Sequence, residues 1–271
     1  MKHVRALAAE PPLLAQYRAS SPGEEKRPAS EATATWDSFK DDRPAYAELR
    51  AKLAKAQQGL CIYCEQRLVD GNGKLVPNDY QVEHVQPKSG AVGRVLDWQN
   101  LALACGGGTY THHSDSSRVY TTAMNTSCGQ TKDALDLPQG CDPRLLPLVD
   151  PIIEVGIDGK LLVHEQHCVP VGVASQNAKD AIELLNLDCE RLRKARQDIG
   201  DNTRSWFVFM LEELLSPQLT VAQKQNIVDL LVARRLQPDS QGFLSRFWST
   251  ERSAIGAPAE SWLASNQTQF A

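Results

Sequence analysis

Apolar side chains return at three-to-four spacing through Tyr46, Leu49, Leu53 and Ala56, in a run of good helix formers. That spacing predicts a helix, with Asp42 as a cap, Pro44 in the first turn and a stop near Gly59. Upstream, Val4, Leu7, Leu13, Leu14 and Tyr17 fit a short amphipathic element with little to bury by itself. From Ala19 to Thr35 there is almost nothing apolar beyond alanine, the texture of a mobile linker, and packing residues resume at Trp36 and Phe39. Downstream, Tyr80 to Val85 reads as a short strand, with Gln81, Glu83 and Val85 on one face and Val82 and His84 on the other. Leu96 to Ala104 reads as a second strand, entering Cys105. The stretch between the first helix and these strands is turn-rich around Asp70-Gly71-Asn72-Gly73.

Thr109 to Ser127 is a polar insertion, and Cys128 opens a helix expected to end before Pro138. Ile152 to Ile157, Lys160 to His164 and Cys168 to Val173 are rich in β-branched residues and predict a small antiparallel meander. Helical spacing then runs over Gln176 to Ile199, Trp206 to Leu215 and Val221 to Leu236, and Phe243, Leu244, Phe247 and Trp248 suggest a shorter fourth helix. The expected class is α+β, mainly helical. It divides into an N-terminal segment and helix (1–58), a central core (59–143), and a β meander with a helical region (144–271).

The 271 residues carry 29 basic and 33 acidic side chains, a net charge of -4. A protein that coats nucleic acid unaided carries the opposite balance, so any such binding is local, metal-assisted or shared with a partner. No stretch approaches the roughly 20 apolar residues of a membrane span, and Glu10, Pro11 and Pro12 interrupt any signal-peptide core. The expectation is a cytoplasmic protein.

Candidate chemistry gathers between Cys61 and Lys132. Cys61-Ile62-Tyr63-Cys64-Glu65 is a close pair of thiols, and Cys105 and Cys128 follow as single cysteines. Four thiolates suit one tetrahedral Zn²⁺ with no open position, a structural clamp. Cys141, Cys168 and Cys189 lack close partners and read as free buried thiols. Between the halves of the clamp, Glu83 offers a hard oxygen for Mg²⁺ or Mn²⁺, and His84 a base for activating water. A strand puts these neighbours on opposite faces, so either the strand ends at the pair or one residue is structural. His112 and His113 are solvated loop residues or spare ligands. Arg191, Arg193, Lys194 and Arg196 crowd one helix and either receive a phosphate backbone or form a solvated face.

Taken in order, Cys61-Ile62-Tyr63-Cys64-Glu65, Val82-Glu83-His84-Val85-Gln86-Pro87-Lys88, Asp97-Trp98-Gln99-Asn100-Leu101, Cys105 and Cys128 resemble the HNH nucleases. More narrowly the set is similar to the HNH partner protein of Septu-type anti-phage systems (PtuB-like), which also occurs beside some retrons. The resemblance implies a zinc-clamped ββα-metal core and phosphodiester hydrolysis of nucleic acid, with DNA the favoured substrate. It assigns His84 as general base, Asn100 as the residue fixing the loop that aims it, and Glu83 as ligand to the catalytic ion. It also implies an ATPase subunit of PtuA type as partner and possible retron components, with no membrane. One departure stands out: where the family carries a helix ligand after the last cysteine, this chain has Gly129. Gln130, Asn125 or a water is left to complete that site, and Lys132 to contact phosphate. The rival readings are a modification-dependent restriction nuclease with the same core and a zinc-stabilised adaptor without catalysis.

Overall fold

The structure is a computed structural model that describes residues 2–110, 115–119 and 123–270. It is α+β, with about half of the chain helical and two small sheets. Helix α1 (Pro12–Ser20) buries Leu14 and packs on α3 (Arg43–Ala56), whose start is capped by the Asp42 carboxylate accepting from the Ala45 amide at 3.2 Å. Between them the expected linker is instead ordered. It forms two single 3₁₀ turns, at Glu24–Lys26 and Ala29–Glu31, and then α2 (Ala32–Asp41). Ala32 and Thr35 are buried, bordering a crevice shared with Val95 and Leu96. Their small side chains allow close approach, a contact invisible to a hydropathy pattern.

Strand β1 (Tyr80–His84) pairs antiparallel with β2 (Leu101–Cys105), setting Glu83 opposite Ala102 and His84 opposite Leu101. The Gln57 amide, just past α3, accepts from the Leu103 amide and donates to the Leu103 carbonyl at 2.9 Å. It thereby acts as an extra strand segment tying the helix to β2. The polar insertion leaves the end of β2, and its described part at 115–119 lies against α7 (Glu190–Leu214) and the Cys61 turn. Helix α4 (Gly129–Lys132) follows and is only one turn long.

The second sheet has two strands, β3 (Ile153–Val155) and β4 (Leu161–Val163), not three. Past β4 the chain winds into α5 (Glu165–Cys168), where the His164 carbonyl takes up the Cys168 amide at 3.2 Å and the chain turns back at Gly172, φ +68°. Local bonding thus replaces the expected third strand.

The helices beyond are also partitioned differently. Helix α6 (Ser175–Leu184) ends before Asn186, and α7 continues unbroken through Gly200 to Leu214, so two of the expected helices are one and their first half is separate. The break is set by tertiary contacts. Asn186 takes φ +45° and its amide donates to the Met124 and Thr126 carbonyls, both at 2.7 Å. Helix α8 (Val221–Leu236) begins with a Thr220–Gln223 capping box, and α9 (Trp248–Ile255) and α10 (Ala257–Ser265) complete the fold.

Two apolar clusters meet at adjacent residues. Phe247 belongs to the large one around the first sheet, and Trp248 to the one between α7, α8, α9 and α10. The junction is reinforced by Glu65, whose carboxylate accepts from the Ser249 amide at 2.7 Å at the start of α9. Among the described residues no helix is long and apolar enough to cross a membrane.

Candidate active site and metal centre

The Cys61 turn is closed by the Cys61 amide donating to the Gln66 carbonyl at 2.8 Å, with Glu65 at φ +65°. It is laid on β2 by the Ile62 amide donating to the Leu103 carbonyl at 3.0 Å, which brings Cys61 and Cys64 beside Cys105 at the strand's end. Cys128 is delivered by a backbone in the left-handed region, φ +61°, whose amide donates to the Leu185 carbonyl at 2.8 Å.

All four thiols are buried, and their sulphurs lie within 4.8 Å of one another. The separations are 3.6 Å for Cys64–Cys105, 3.6 Å for Cys105–Cys128 and 4.0 Å for Cys61–Cys128. Four sulphurs about 2.3 Å from a tetrahedral Zn²⁺ would stand about 3.8 Å apart. Donors suited to thiolates are already in place: the Cys105 amide reaches the Cys61 sulphur at 3.2 Å, and the Ser127 hydroxyl the Cys128 sulphur at 3.5 Å. Burial pushes the Cys128 thiol up, a penalty that a bound cation would reverse. The residues fit a closed, structural metal site. Among the described residues these four are the only group of three or more metal-binding side chains this close together.

Between the end of β1 and α4 lies an open cleft of about 280 Å³, bordered by Gln81, Glu83, His84, Lys88, Gln130 and Asp133. Strand β1 ends at His84, so the two neighbours reach one cleft from opposite faces of the same strand end. The His84 ring packs edge-on against Trp36, with centroids 4.7 Å apart, and its Nε2 lies 3.0 Å from the Val95 carbonyl oxygen. A carbonyl only accepts, so Nε2 carries the proton and Nδ1 the lone pair. Burial pushes the His84 imidazole down to about 4, which keeps the ring neutral near pH 7.

The Val95 carbonyl is held by a loop pinned at Asn100. This buried side chain accepts from the Gln86 amide at 2.7 Å and donates to the Gln86 and Arg94 carbonyls at 2.9 and 3.2 Å.

Glu83 is buried, and both its oxygens have donors. Oε1 accepts from the Tyr63 hydroxyl at 3.0 Å and lies 3.1 Å from the Lys132 ammonium; Oε2 lies 3.4 Å from the Gln81 amide nitrogen. Burial, and then the carboxylate beside it, push the Tyr63 hydroxyl well up, so it remains a donor. The donor set at Oε2, one carboxylate oxygen on an open cleft, fits a hard divalent ion that keeps most of its waters. A lysine on Oε1 would weaken the hold of such an ion.

No family model matches the chain. A curated protein of Escherichia coli, described as "Retron Ec83 putative HNH endonuclease", is 28% identical over 223 residues, covering 73% of this chain and 79% of the relative. This chain is similar to that protein over most of its length. That relationship supports a nuclease, and the retron link in the relative's description agrees with the context the motifs suggest.

Within this chain the structure brings Cys61, Cys64, Cys105 and Cys128 together, and it sets Glu83, His84 and Asn100 around one cleft and its loop. It does not bring Asn125 there. That side chain is buried against α7, where its Oδ1 accepts from the Arg191 amide at 3.4 Å. Lys132 is buried too, 1% exposed and bonded to Glu83 and the His84 carbonyl, so it is not placed to meet a phosphate. The cation bordering the cleft is Lys88.

Arg191 and Arg196, expected on a phosphate-binding or solvated face, are instead buried. Arg191 donates to the Asn125 carbonyl at 2.7 Å and the Ser117 carbonyl at 2.6 Å; Arg196 donates to the Gly159 and Leu187 carbonyls at 2.6 and 2.9 Å. Both fasten irregular backbone that no helix or sheet satisfies. His112 and His113 lie outside the described residues. Tyr63 stood in the cysteine motif with no role assigned to it, and Asp133 was not singled out by sequence. Gln81 was legible, because strand alternation already set it on the Glu83 face.

Proposed function

We propose that this chain is a metal-dependent HNH endonuclease that hydrolyses phosphodiester bonds of nucleic acid, with DNA the first substrate to test. The observation that carries the reading is the pairing, at the end of β1, of Glu83 with a neutral His84 oriented by the Val95 carbonyl. His84 Nδ1 takes the proton of an attacking water while Nε2 stays bonded to that carbonyl, so the ring enters the reaction in one orientation. Asn100 holds the loop that carries this acceptor, which makes it a positioning residue. Lys88 contributes positive charge for a bound phosphate. A Mg²⁺ or Mn²⁺ ion at Glu83 would stabilise negative charge on the phosphate and leaving oxygen. Zn²⁺ on the four cysteines would keep β2, the Cys61 turn and α4 in register.

The role we infer is that of effector in a bacterial anti-phage defence complex, supported by the motif resemblance and the retron relative. An ATPase subunit of PtuA type and retron components are the partners to look for. Apolar side chains left exposed on α7 and α8, among them Phe209 at 56% and Leu230 at 70%, offer a place for another protein. The test is plasmid nicking by the full chain with Mn²⁺ or Mg²⁺, alone and with the ATPase, beside His84→Ala. Metal-dependent nicking lost in His84→Ala supports the reading. Equal nicking by both proteins removes His84 from the mechanism, and no nicking under any condition returns the chain to the adaptor class.

A further inference from the structure

Glu83 alone is a poor anchor for a divalent ion, and the helix position at which the motif resemblance leads one to expect a further ligand is Gly129 here. The structure explains why a side chain is missing there. A Cβ built on Gly129 would fall inside the van der Waals shells of Gln81 Nε2 and Glu83 Oε2. The space is therefore taken by an amide arriving from the strand, not left open.

We propose that Gln81 is the second protein ligand of the catalytic ion, its amide oxygen substituting for the absent helix side chain. The proposal rests on the assignment of Glu83 as the first ligand.

Three observations carry it. Gln81 and Glu83 alternate onto the same face of β1, and the end of the Gln81 amide lies 3.4 Å from Oε2 of Glu83. Oxygens in adjacent positions around an ion at about 2.1 Å stand roughly 3 Å apart, so both atoms reach one ion with little movement. Second, the partner of the amide is itself an amide: Gln130 Nε2 donates to Gln81 Oε1 at 2.7 Å. A half-turn of the Gln81 amide puts Oε1 beside Glu83, and the matching half-turn of Gln130 keeps their mutual bond, because each group carries one acceptor and two donor hydrogens. Next to a bare carboxylate the NH₂ end faces Glu83; next to a cation the oxygen does. Third, one carboxylate and one neutral oxygen, with water elsewhere, form a donor set that Mg²⁺ and Mn²⁺ accept readily. Gln130, one of three candidates the sequence left open to complete the site beside Asn125 and a water, becomes the residue that orients Gln81.

The experiment measures Mn²⁺ binding to the zinc-loaded full chain by the loss of the free-ion electron paramagnetic resonance signal, without nucleic acid. Bound zinc is counted in every variant as the check on folding. Gln81→Ala is expected to weaken Mn²⁺ binding about tenfold or more with zinc unchanged, and Gln81→Glu to restore or tighten it, since a carboxylate supplies the same oxygen with added charge. Wild-type affinity in both Gln81 variants, with affinity lost in Glu83→Ala, overturns the proposal and leaves water in that position. Loss in Asp133→Asn but not in Gln81→Ala overturns it in favour of the other carboxylate on the cleft. Undiminished binding in Glu83→Ala is a different failure, because it removes the first ligand and the reading beneath the proposal.

Discussion

The ammonium of Lys132 lies 3.1 Å from Oε1 of Glu83 and 3.2 Å from the carbonyl of His84, so one buried cation holds both residues at the end of β1. Taking away one partner of a buried pair strands the other's charge, at a cost of ~3–5 kcal/mol. Lys132→Met is expected to show that loss in urea unfolding. Lys132→Met combined with Glu83→Gln should be the more stable of the two variants, because no unpaired charge remains. A double variant no more stable than Lys132→Met would show that the stranded Glu83 charge is not what destabilises the single variant.

The sulphur cluster predicts one zinc per chain. Cys105→Ala and Cys128→Ala should lose it as fully as Cys61→Ala, whereas Cys141→Ser should retain it, since Cys141 is a separate buried thiol. Metal analysis of the purified variants decides this. Zinc retained in Cys128→Ala would break the four-sulphur site.

Asn100→Ala strips partners from the Gln86 amide and carbonyl and from the Arg94 carbonyl. Groups left unsatisfied each cost about 1–3 kcal/mol when buried, less where water replaces the partner. Hydrogen exchange should quicken across 86–96, with the Cys61 turn unaffected. Nicking should fall with it, as the acceptor for His84 Nε2 drifts.

His84→Ala should lower nicking by roughly 10²–10⁴-fold, the usual contribution of a general base. Its zinc content should be unchanged, because the ring faces Trp36 and the cleft rather than the sulphur cluster. Zinc lost with the ring would point to a structural role for His84.

Gly129→Ala places a methyl against Glu83 and Gln81. Overpacking of this kind typically costs about 1–3 kcal/mol. Thermal unfolding checks it, and an unperturbed melting temperature would mean the two side chains move aside freely.

Local regularities were legible in the sequence. The α3 helix with its Asp42 cap, strand β1, helix α8 and the close cysteine pair all follow from spacing and short-range bonding. Alternation even set Gln81 beside Glu83. What only tertiary structure decided are features whose partners lie far along the chain. Cys128 joins Cys61 because its backbone amide is caught by Leu185. The helix breaks at Asn186 because carbonyls near Thr126 need its amide. Lys132, Arg191 and Arg196 turn inward to buried oxygens that lie far from them in the chain: the Glu83 carboxylate, the Asn125 carbonyl and the Gly159 carbonyl. A charged residue's place, in solvent or in the core, is set by acceptors that folding brings to it, and those are not written in its neighbours.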